Sequence, residues 1–293
     1  MRKIIVVTGP TCTGKTKLSI ELAKKYDGEV INADSTQIYR GMDIATAKVT
    51  EQEKEGISHY LFDIKDWQED YSIYHYQKDV RKKIEEIWQK NKTVILCGGT
   101  GLYIKSALFD YDLKEENIKK YEGQLDEELY RILKEKDPDT LIHPNNRKRI
   151  ERALSYIENH QQPIQNQSGK NTLLYDAIFL GLTMPRDILY DRINKRVDQM
   201  INTGLIKEAE TIFESKIRSK AVMTPIGYKE LFPYFEKKES FDACVEKIKQ
   251  NSRRYAKRQY TFFRHQLPIH WIDVDLDNFQ NTVDDAIKIV ENS

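Results

Sequence analysis

The most constraining feature of this sequence is a glycine-rich loop that lies between a short apolar run and a helical pattern. Residues 4–7 are all apolar, as expected of a strand buried on both faces of a parallel sheet. Residues 9–16 read Gly-Pro-Thr-Cys-Thr-Gly-Lys-Thr, which fits the phosphate-binding pattern G-x-x-x-x-G-K-[ST]. Leu18, Leu22 and Tyr26 then recur at four-residue spacing, which predicts a helix directly after the loop. Strand, phosphate loop and helix in this order predict a P-loop α/β fold.

The loop has the chemistry of a polyphosphate site. Its glycines let successive backbone N–H groups point at one ligand, and the helix N-terminus adds the positive end of its dipole. Lys15 adds a point charge, and the Thr16 hydroxyl is a candidate ligand for Mg²⁺. The predicted diphosphate- or nucleotide-binding residues of the loop are Gly9, Pro10, Thr11, Cys12, Thr13, Gly14, Lys15 and Thr16. A tight turn with no ligand is the alternative, and the motif alone does not identify ATP as the ligand.

Further apolar runs extend the predicted sheet. Strands are expected at residues 30–31, 94–96, 177–180 and 269–272, and a helical stripe at 80–88 precedes the second of these. Alternating strands and helices predict a doubly wound parallel sheet flanked by helices.

The middle of the chain has a different character. Charge is dense between residues 113 and 171, and the pairs Asp137-Pro138 and His143-Pro144 break the segment into short pieces. We therefore expect a P-loop α/β core made of residues 1–112 and 172–293, with a helical insertion domain at 113–171.

Composition excludes several classes of protein. The chain has 47 Lys and Arg against 46 Asp and Glu, so net charge gives no argument for a nucleic-acid partner. Cys12, Cys97 and Cys244 are widely spaced and odd in number, which argues against a disulfide framework or a zinc ribbon. No stretch approaches the roughly 20 apolar residues of a membrane span. We expect a cytoplasmic protein with no membrane partner.

One carboxylate lies where a ligand is expected. P-loop ATPases and GTPases usually hold Mg²⁺ with an acidic residue at the end of a neighbouring strand. Here the run at 94–96 ends in Cys-Gly-Gly-Thr-Gly, with no carboxylate. Asp34 instead follows the run at 30–31, at the carboxyl edge of the sheet, where open α/β folds bind ligands. Position alone leaves Asp34 open as a metal ligand, a helix cap or a general base.

Basic residues are concentrated in two segments. Residues 247–264 contain seven Lys and Arg and no Asp or Glu. A second cluster, at 147–152, lies in the predicted insertion. A solvated helix face is the ordinary explanation, but a one-sign run in a charge-balanced chain favours contact with phosphates.

The segment 32–48 resembles the tRNA dimethylallyltransferase family very closely. Its core reads Asn-Ala-Asp-Ser-Thr-Gln-Ile-Tyr-Arg-Gly-Met-Asp-Ile, followed by Thr-Ala-Lys at 46–48. Other motifs similar to that family follow in order at 98–104, 142–145, 149–154, 196–200, 226–230 and 253–259. The resemblance implies transfer of a dimethylallyl group from dimethylallyl diphosphate to N6 of adenine 37, in tRNAs that read codons starting with U.

The resemblance also implies roles for the residues at the sheet edge. The phosphate loop would bind the donor diphosphate together with Mg²⁺, and Arg196 would be a second diphosphate contact rather than a solvated helix-face arginine. Asp34 would be the general base that accepts the N6 proton, because adenine N6 is a weak nucleophile until its proton has an acceptor. Thr100 would contact the same nucleotide, and a helix N-cap is its alternative.

The tRNA partner requires further contacts, because adenine 37 must leave its stack to reach such a base. In this interpretation Ser35, Thr36 and Gln37, with Asp34 and Thr100, read the target base. The basic contacts would be Lys148, Arg149 and Arg152 in the insertion and Arg253, Arg254, Lys257 and Arg258 near the C-terminus. Gly227, Tyr228 and Lys229 would line the same groove, with loop packing as the alternative.

Three other functions are alternatives on the sequence alone. A small-molecule P-loop kinase would use Asp34 to activate a hydroxyl and would not need the basic run. A nucleic-acid-binding ATPase would need the missing strand-end carboxylate. Adenylate prenyltransferases share the prenyl chemistry, so the tRNA acceptor depends on the insertion and the basic segments. We expect a monomer, because the tRNA itself would complete the site.

Overall fold

The structure is a computed structural model, and it describes residues 3–111, 113, 119, 121–163 and 172–293. The chain divides into two compact units, Met1–Ala107 with Tyr175–Ser293 and Leu108–Leu174. The second unit extends beyond the sequence range 113–171 at both ends. Its first and last residues pair with each other: an isolated antiparallel bridge joins Phe109 to Leu173, and Leu174 N–H donates to the Leu108 carbonyl at 2.8 Å. This pairing has no local sequence pattern, which is why the range was predicted too short.

The core unit is built on one parallel sheet of six strands in the order β3-β2-β4-β1-β5-β6. The strands are β1 (Ile4–Thr8), β2 (Gly28–Asn32), β3 (His59–Tyr60), β4 (Thr93–Cys97), β5 (Ala177–Thr183) and β6 (Ile269–Asp273). The chain adds strands on one side of β1 first and on the other side afterwards, so the doubly wound parallel sheet is confirmed. The two-residue edge strand β3 was missed, because His59 and Tyr60 are half-buried and form no apolar run.

Helices cover both faces of this sheet. Those of the core are α1 (Lys15–Lys25), α2 (Glu51–Lys54), α3 (Ile73–Gln89), α4 (Gly101–Leu108), α7 (Arg186–Asn202), α8 (Leu205–Glu214), α9 (Lys220–Met223), α10 (Tyr228–Phe235), α11 (Phe241–Gln266) and α12 (Phe279–Glu291). The helices α5 (Asp126–Lys136) and α6 (Arg147–His160) belong to the second unit. The helix predicted after the phosphate loop is α1, and the stripe at 80–88 lies in α3.

Packing and strand register together place the ends of neighbouring strands at the same edge of the sheet. Every residue of β1 is buried, and the α1 side chains Leu18 and Leu22 are fully buried against it. Burying a leucine of this kind contributes about 1.5–3 kcal/mol. Val7 pairs with Cys97, which pairs with Asn32 in turn. The loops after β1, β2 and β4 therefore begin side by side at one edge of the sheet.

The second unit contains a pair of packed helices. Leu129 and Leu133 of α5 are fully buried against Ile150 and Leu154 of α6. Arg147 contacts Asp126 at the beginning of both helices, and Lys136 lies 3.9 Å from Glu158 near the end of both. The two helices therefore run side by side in the same direction, and residues 137–146 return along them.

Within the ranges that the structure describes, no helix is both long enough and apolar enough to cross a bilayer.

Candidate active site

The phosphate loop has the backbone conformation of an anion site. Gly9 and Gly14 have φ of 133° and 93°, and a Cβ at Gly14 would lie 2.8 Å from the Phe279 ring. The Thr13 hydroxyl closes the turn by donating to the Pro10 carbonyl at 2.9 Å. In the described part of the chain, no acceptor is found for the backbone N–H groups of residues 12–16. These donors, at the N-terminus of α1, are available to an anion.

Thr11 differs from the rest of the loop. Its backbone N–H donates to Oε1 of Gln259 at 3.0 Å, so this donor is turned toward α11. Of the predicted loop residues, Thr11 therefore presents its hydroxyl beside Arg196, while its N–H group already has a partner in Gln259.

Lys15 points back into its own loop. Its Nζ donates to the Pro10 carbonyl at 2.7 Å. Desolvation lowers the pKa of Lys15, and the nearby Cys97 and Asp34 act in the opposite direction. Asp34 is thus close enough to Lys15 for the carboxylate charge to act on the pKa of the ammonium group.

Two arginines of α7 bind the outside of the loop. Arg196 donates from Nη1 to the Thr11 hydroxyl at 2.7 Å and lies 3.6 Å from the Cys12 sulfur. Arg192, which the sequence did not assign to the site, donates to the Cys12 carbonyl at 3.0 Å. Arg196 is half-buried against the loop and is not simply a solvated helix-face residue.

Asp34 caps a turn with one oxygen and leaves the other open. Oδ1 accepts from the Thr36 N–H at 3.0 Å and from the Thr36 hydroxyl at 2.7 Å. The buried Asn32 side chain accepts from the Asp34 N–H at 2.8 Å and fixes the backbone there. No described residue donates to Oδ2, and a Cβ at Gly99 would lie 3.5 Å from it. The alternatives of cap and functional carboxylate are thus compatible, because one carboxylate has an oxygen for each.

Thr100 lies directly beside this turn. Its hydroxyl oxygen accepts from the Ser35 N–H at 3.1 Å, and the hydroxyl donates to the Ser35 side chain at 3.3 Å. The contact requires glycine at position 98, where a Cβ would lie 2.2 Å from the Ala33 carbonyl carbon. The structure therefore brings Asp34, Ser35 and Thr100 together at one sheet edge.

Gln37 is tied to the segment that follows. Its side-chain amide donates to the carbonyls of Thr46 and Ala47 at 3.0 and 3.2 Å. That segment is held in turn by Glu208 of α8, whose carboxylate accepts N–H bonds of 2.8–3.0 Å from residues 43–45. No sequence signal pointed to Glu208, because an acidic residue on an amphipathic helix is ordinary.

The predicted contact by Tyr228 is not compatible with the structure. Tyr228 is fully buried, and its hydroxyl donates to Glu208 at 2.7 Å. Gly227 is buried as well, and a Cβ there would lie 3.2 Å from Ala45 Cβ. Lys229 is exposed and donates to the Met223 carbonyl at 3.0 Å. Loop packing is therefore the arrangement found for Gly227 and Tyr228.

The basic residues of α11 fall on two sides. Arg254, Lys257 and Arg258 are exposed, with the Arg258 guanidinium 5.7 Å from the centre of the Tyr255 ring. Arg253 is half-buried and donates to Asn194 Oδ1 of α7 at 2.6 Å. Arg253 therefore joins two helices and is not one of the exposed cations.

Gln259 lies within the motif at 253–259, but sequence reasoning assigned it no role. It is 5% exposed, and besides accepting from Thr11 it donates from Nε2 to the Gly99 carbonyl at 3.0 Å. Its signal was available: in a helix, Gln259 lies on the same stripe as the buried Ala256 and Phe263.

Among the basic residues of the second unit that the sequence assigned to tRNA contact, Lys148 and Arg149 are exposed. Arg152 is half-buried. Arg147, in contrast, bridges Asp126 and Glu151 and also donates to the carbonyls of Tyr121 and Gln124. Arg147 therefore holds this unit together.

A resident metal centre is not formed by the described residues, which contain no group of three His, Cys, Asp or Glu side chains suited to a metal. Thr16 is exposed at the first turn of α1. Mg²⁺ commonly binds through one or two protein oxygens together with substrate phosphates and water. The site thus fits a magnesium ion that arrives with a diphosphate.

A parallel sheet with an anion-binding loop after β1 and an open carboxylate oxygen after β2 defines a P-loop enzyme of group transfer. The chain belongs to the IPP transferase family, whose family model matches residues 37–266. The resemblance drawn from the motifs is confirmed.

Individual relatives agree over nearly the whole length. The tRNA dimethylallyltransferase of Macrococcus caseolyticus (strain JCSC5402) is 47% identical over 281 residues, which cover 92% of this chain and 90% of the relative. A crystal structure of tRNA delta(2)-isopentenylpyrophosphate transferase from Staphylococcus epidermidis is 40% identical, with a TM-score of 0.76 and all of both chains covered. A eukaryotic dimethylallyltransferase solved acting on tRNA is 30% identical, with a TM-score of 0.88, all of this chain covered and 79% of that one.

Proposed function

We propose that this chain transfers the dimethylallyl group of dimethylallyl diphosphate to N6 of adenine 37, in tRNAs that read codons starting with U. The product is N6-(dimethylallyl)adenosine, and diphosphate is released. The observation that carries the proposal is the open Oδ2 of Asp34, which lies at the same sheet edge as the phosphate loop. Donor and acceptor can then meet at one place.

The chemistry is a displacement at the first carbon of the allyl group. The N6 lone pair forms the new C–N bond while the C–O bond to diphosphate breaks and the leaving oxygen keeps the electron pair. Oδ2 of Asp34 accepts the N6 proton as the new bond forms. Charge grows on the diphosphate, where the N–H groups of residues 12–16, Lys15 and Arg196 stabilise it in fixed positions.

Magnesium enters this proposal as a partner of the donor. The Thr16 hydroxyl would hold it, with donor phosphate oxygens and water as the other ligands. When bound, the ion neutralises part of the diphosphate charge.

The acceptor base leaves the anticodon loop to reach Asp34, at a cost of a few kcal/mol that other contacts must offset. Thr100 and residues 35–37 surround the position of the base. Three exposed cations of α11, Arg254, Lys257 and Arg258, would bind tRNA phosphates. Lys148, Arg149 and Arg152 are proposed to do the same from the second unit, and Lys229 remains a candidate on the core.

A single chain suffices in this proposal, because the donor and acceptor groups named above all belong to the core unit. The proposed domain roles follow: the core performs the chemistry, and the helical insertion contributes RNA contacts.

The small-molecule kinase is the second candidate and is less well supported. It would also use the phosphate loop and Asp34, but it gives no reason for the exposed cations of α11. Relatives at 43–47% identity carry the name tRNA dimethylallyltransferase, which favours the first candidate.

The deciding experiment is direct. The purified chain is incubated with Mg²⁺, dimethylallyl diphosphate and an unmodified anticodon stem-loop with adenines at positions 36, 37 and 38, and the RNA is weighed by mass spectrometry. We expect a gain of one dimethylallyl group, which a stem-loop with guanine at position 37 does not show. No gain on the first RNA, together with ATP turnover on a small hydroxyl compound, would replace this proposal with the kinase.

A further inference from the structure

The side-chain amide of Gln259 forms hydrogen bonds to both the phosphate loop and the 98–101 loop. Oε1 accepts from the Thr11 N–H of the phosphate loop at 3.0 Å. Nε2 donates to the carbonyl of Gly99, next to Thr100, at 3.0 Å. The amide is 5% exposed, so neither bond is exchanged readily for a bond to water. The two loops are already joined at their base, where the Gly98 N–H donates to the Val7 carbonyl and the Thr8 hydroxyl donates to the Gly98 carbonyl, both at 3.1 Å. The Gln259 amide adds a second connection, which ties both loops to α11.

The contact between α11 and the acceptor edge has no free space. A Cβ at Gly99 would lie 2.4 Å from Gln259 Nε2, and a Cβ at Gly101 would lie 2.1 Å from the Phe262 ring. Close-packed elements move together, because side chains in hard contact transmit displacement. A shift of α11 must therefore move the 98–101 loop and, through the Thr11 N–H bond, the phosphate loop.

The opposite side of α11 is the exposed basic face. Ala256, Gln259 and Phe263 form the buried stripe, whereas Arg254, Lys257 and Arg258 point outward. A polyanion bound on the exposed face would fix the helix whose buried face holds the amide.

We propose that Gln259 is a positioning residue that couples the acceptor to the donor: RNA bound on α11 fixes the amide, and the phosphate loop then binds the diphosphate more tightly. This inference rests on the proposed function. Coupling between two ligands is reciprocal, so the donor must tighten RNA binding by the same factor.

The test measures donor affinity with and without RNA. An unreactive donor, dimethylallyl diphosphate with sulfur in place of the bridging oxygen, is titrated into the full chain by calorimetry, alone and with a saturating stem-loop. For the unchanged chain we expect RNA to tighten donor binding about tenfold, within the usual range of couplings between sites. In Gln259→Leu, which has a similar size but neither polar atom, we expect this ratio to fall to about one.

Two further variants make the test specific. Gln250 lies on the same helix, and no described residue forms a hydrogen bond with its side chain. Gln250→Leu should therefore keep the full ratio. Gln259→Glu keeps the acceptor for Thr11 but removes the donor to Gly99, so it should also abolish the coupling; it serves as the test if the leucine variant does not fold.

The possible failures are distinguishable. If the unchanged chain does not prenylate the stem-loop in a parallel mass measurement, the proposed function falls. If it does prenylate the RNA but shows no coupling, or if both folded Gln259 variants keep the full ratio, only the role of Gln259 is overturned.

Discussion

The guanidinium of Arg196 donates to the hydroxyl of Thr11 at 2.7 Å, across a sequence separation of 185 residues. The first strand and its loop thus depend on a helix that follows the whole insertion. The anion site is completed only when β5 and α7 have docked beside β1, because Thr8 pairs with Gly181 and Pro185 precedes α7 directly.

Replacing Arg196 should weaken donor binding. Arg196→Ala removes a cation beside the loop and one charged hydrogen bond, a loss of about 1.5–3 kcal/mol. Since about 1.4 kcal/mol is a tenfold change, donor affinity should fall by roughly ten- to a hundredfold. Calorimetric titration with the unreactive donor measures it. Lys195→Ala, on the same helix but exposed and paired with Asp191, is the matched control. Equal affinities for the two variants would remove Arg196 from the diphosphate site.

Replacing Asp34 should stop the chemical step without disturbing the donor. Asp34→Asn keeps an oxygen to cap the Thr36 turn but cannot accept a proton, so the rate of the transfer step should fall about 10²- to 10⁴-fold. Single-turnover prenyl transfer measures the rate, and donor affinity should stay within about twofold because the phosphate loop is unchanged. Asp66→Asn, which alters an exposed carboxylate paired with Arg40, is the control. A folded Asp34→Asn protein with a normal rate would exclude proton transfer to this residue.

Local patterns predicted the parts of the fold that are themselves local. Buried strands appear in the sequence as apolar runs, and α1 appears as apolar residues that recur at four-residue spacing. These elements were therefore predicted with nearly correct bounds. The position of Asp34 beside Thr100 was also predictable, because neighbouring parallel strands end at one edge.

Pairwise packing was not predictable in the same way. Arg253 and Arg254 are adjacent in sequence, and only the position of Asn194 on α7 decides that Arg253 is tied down while Arg254 is exposed. Tyr228 follows a glycine in a motif and looks accessible, yet Glu208 gives it a buried partner. Long-range partners of this kind have no periodic signature.

Donor binding should weaken as the pH rises. Lys15 contributes its charge only when protonated, and desolvation lowers its pKa from the ordinary 10.5. Affinity should therefore begin to fall at a pH below that expected for a free lysine. Titrations of the unreactive donor between about pH 7 and pH 10 test this, since the diphosphate itself is fully ionised at the upper end of that range. Lys15→Ala should bind weakly with a flatter pH dependence. An affinity that stays constant across this range would contradict the lowered pKa.

Changing Glu208 should impair RNA binding and leave the donor unaffected. Glu208→Gln replaces one of the two oxygens that accept N–H bonds from residues 43–45 with an amide that is itself a donor. Leaving a backbone N–H group of this segment unpaired costs about 1–3 kcal/mol. The segment that anchors Gln37 should loosen, and the KM for the stem-loop should rise about tenfold while donor affinity is kept. Glu210→Gln, exposed on the same helix, is the control. An unchanged KM would show that this segment does not position residues for RNA.

The exposed face of α11 should determine how RNA affinity responds to salt. Each RNA phosphate that the protein no longer neutralises should reduce the slope of log K against log salt by about 0.7 for a single-stranded ligand. Arg254→Ala with Lys257→Ala should therefore lower both the affinity and the slope, by about 1.4 if each side chain neutralises one phosphate. Fluorescence anisotropy of a labelled stem-loop across a salt series measures both quantities. Lys288→Ala in α12, where the lysine pairs with Asp285, should leave them unchanged. A weaker affinity with an unaltered slope would mean that the two residues stabilise the helix and do not neutralise phosphates.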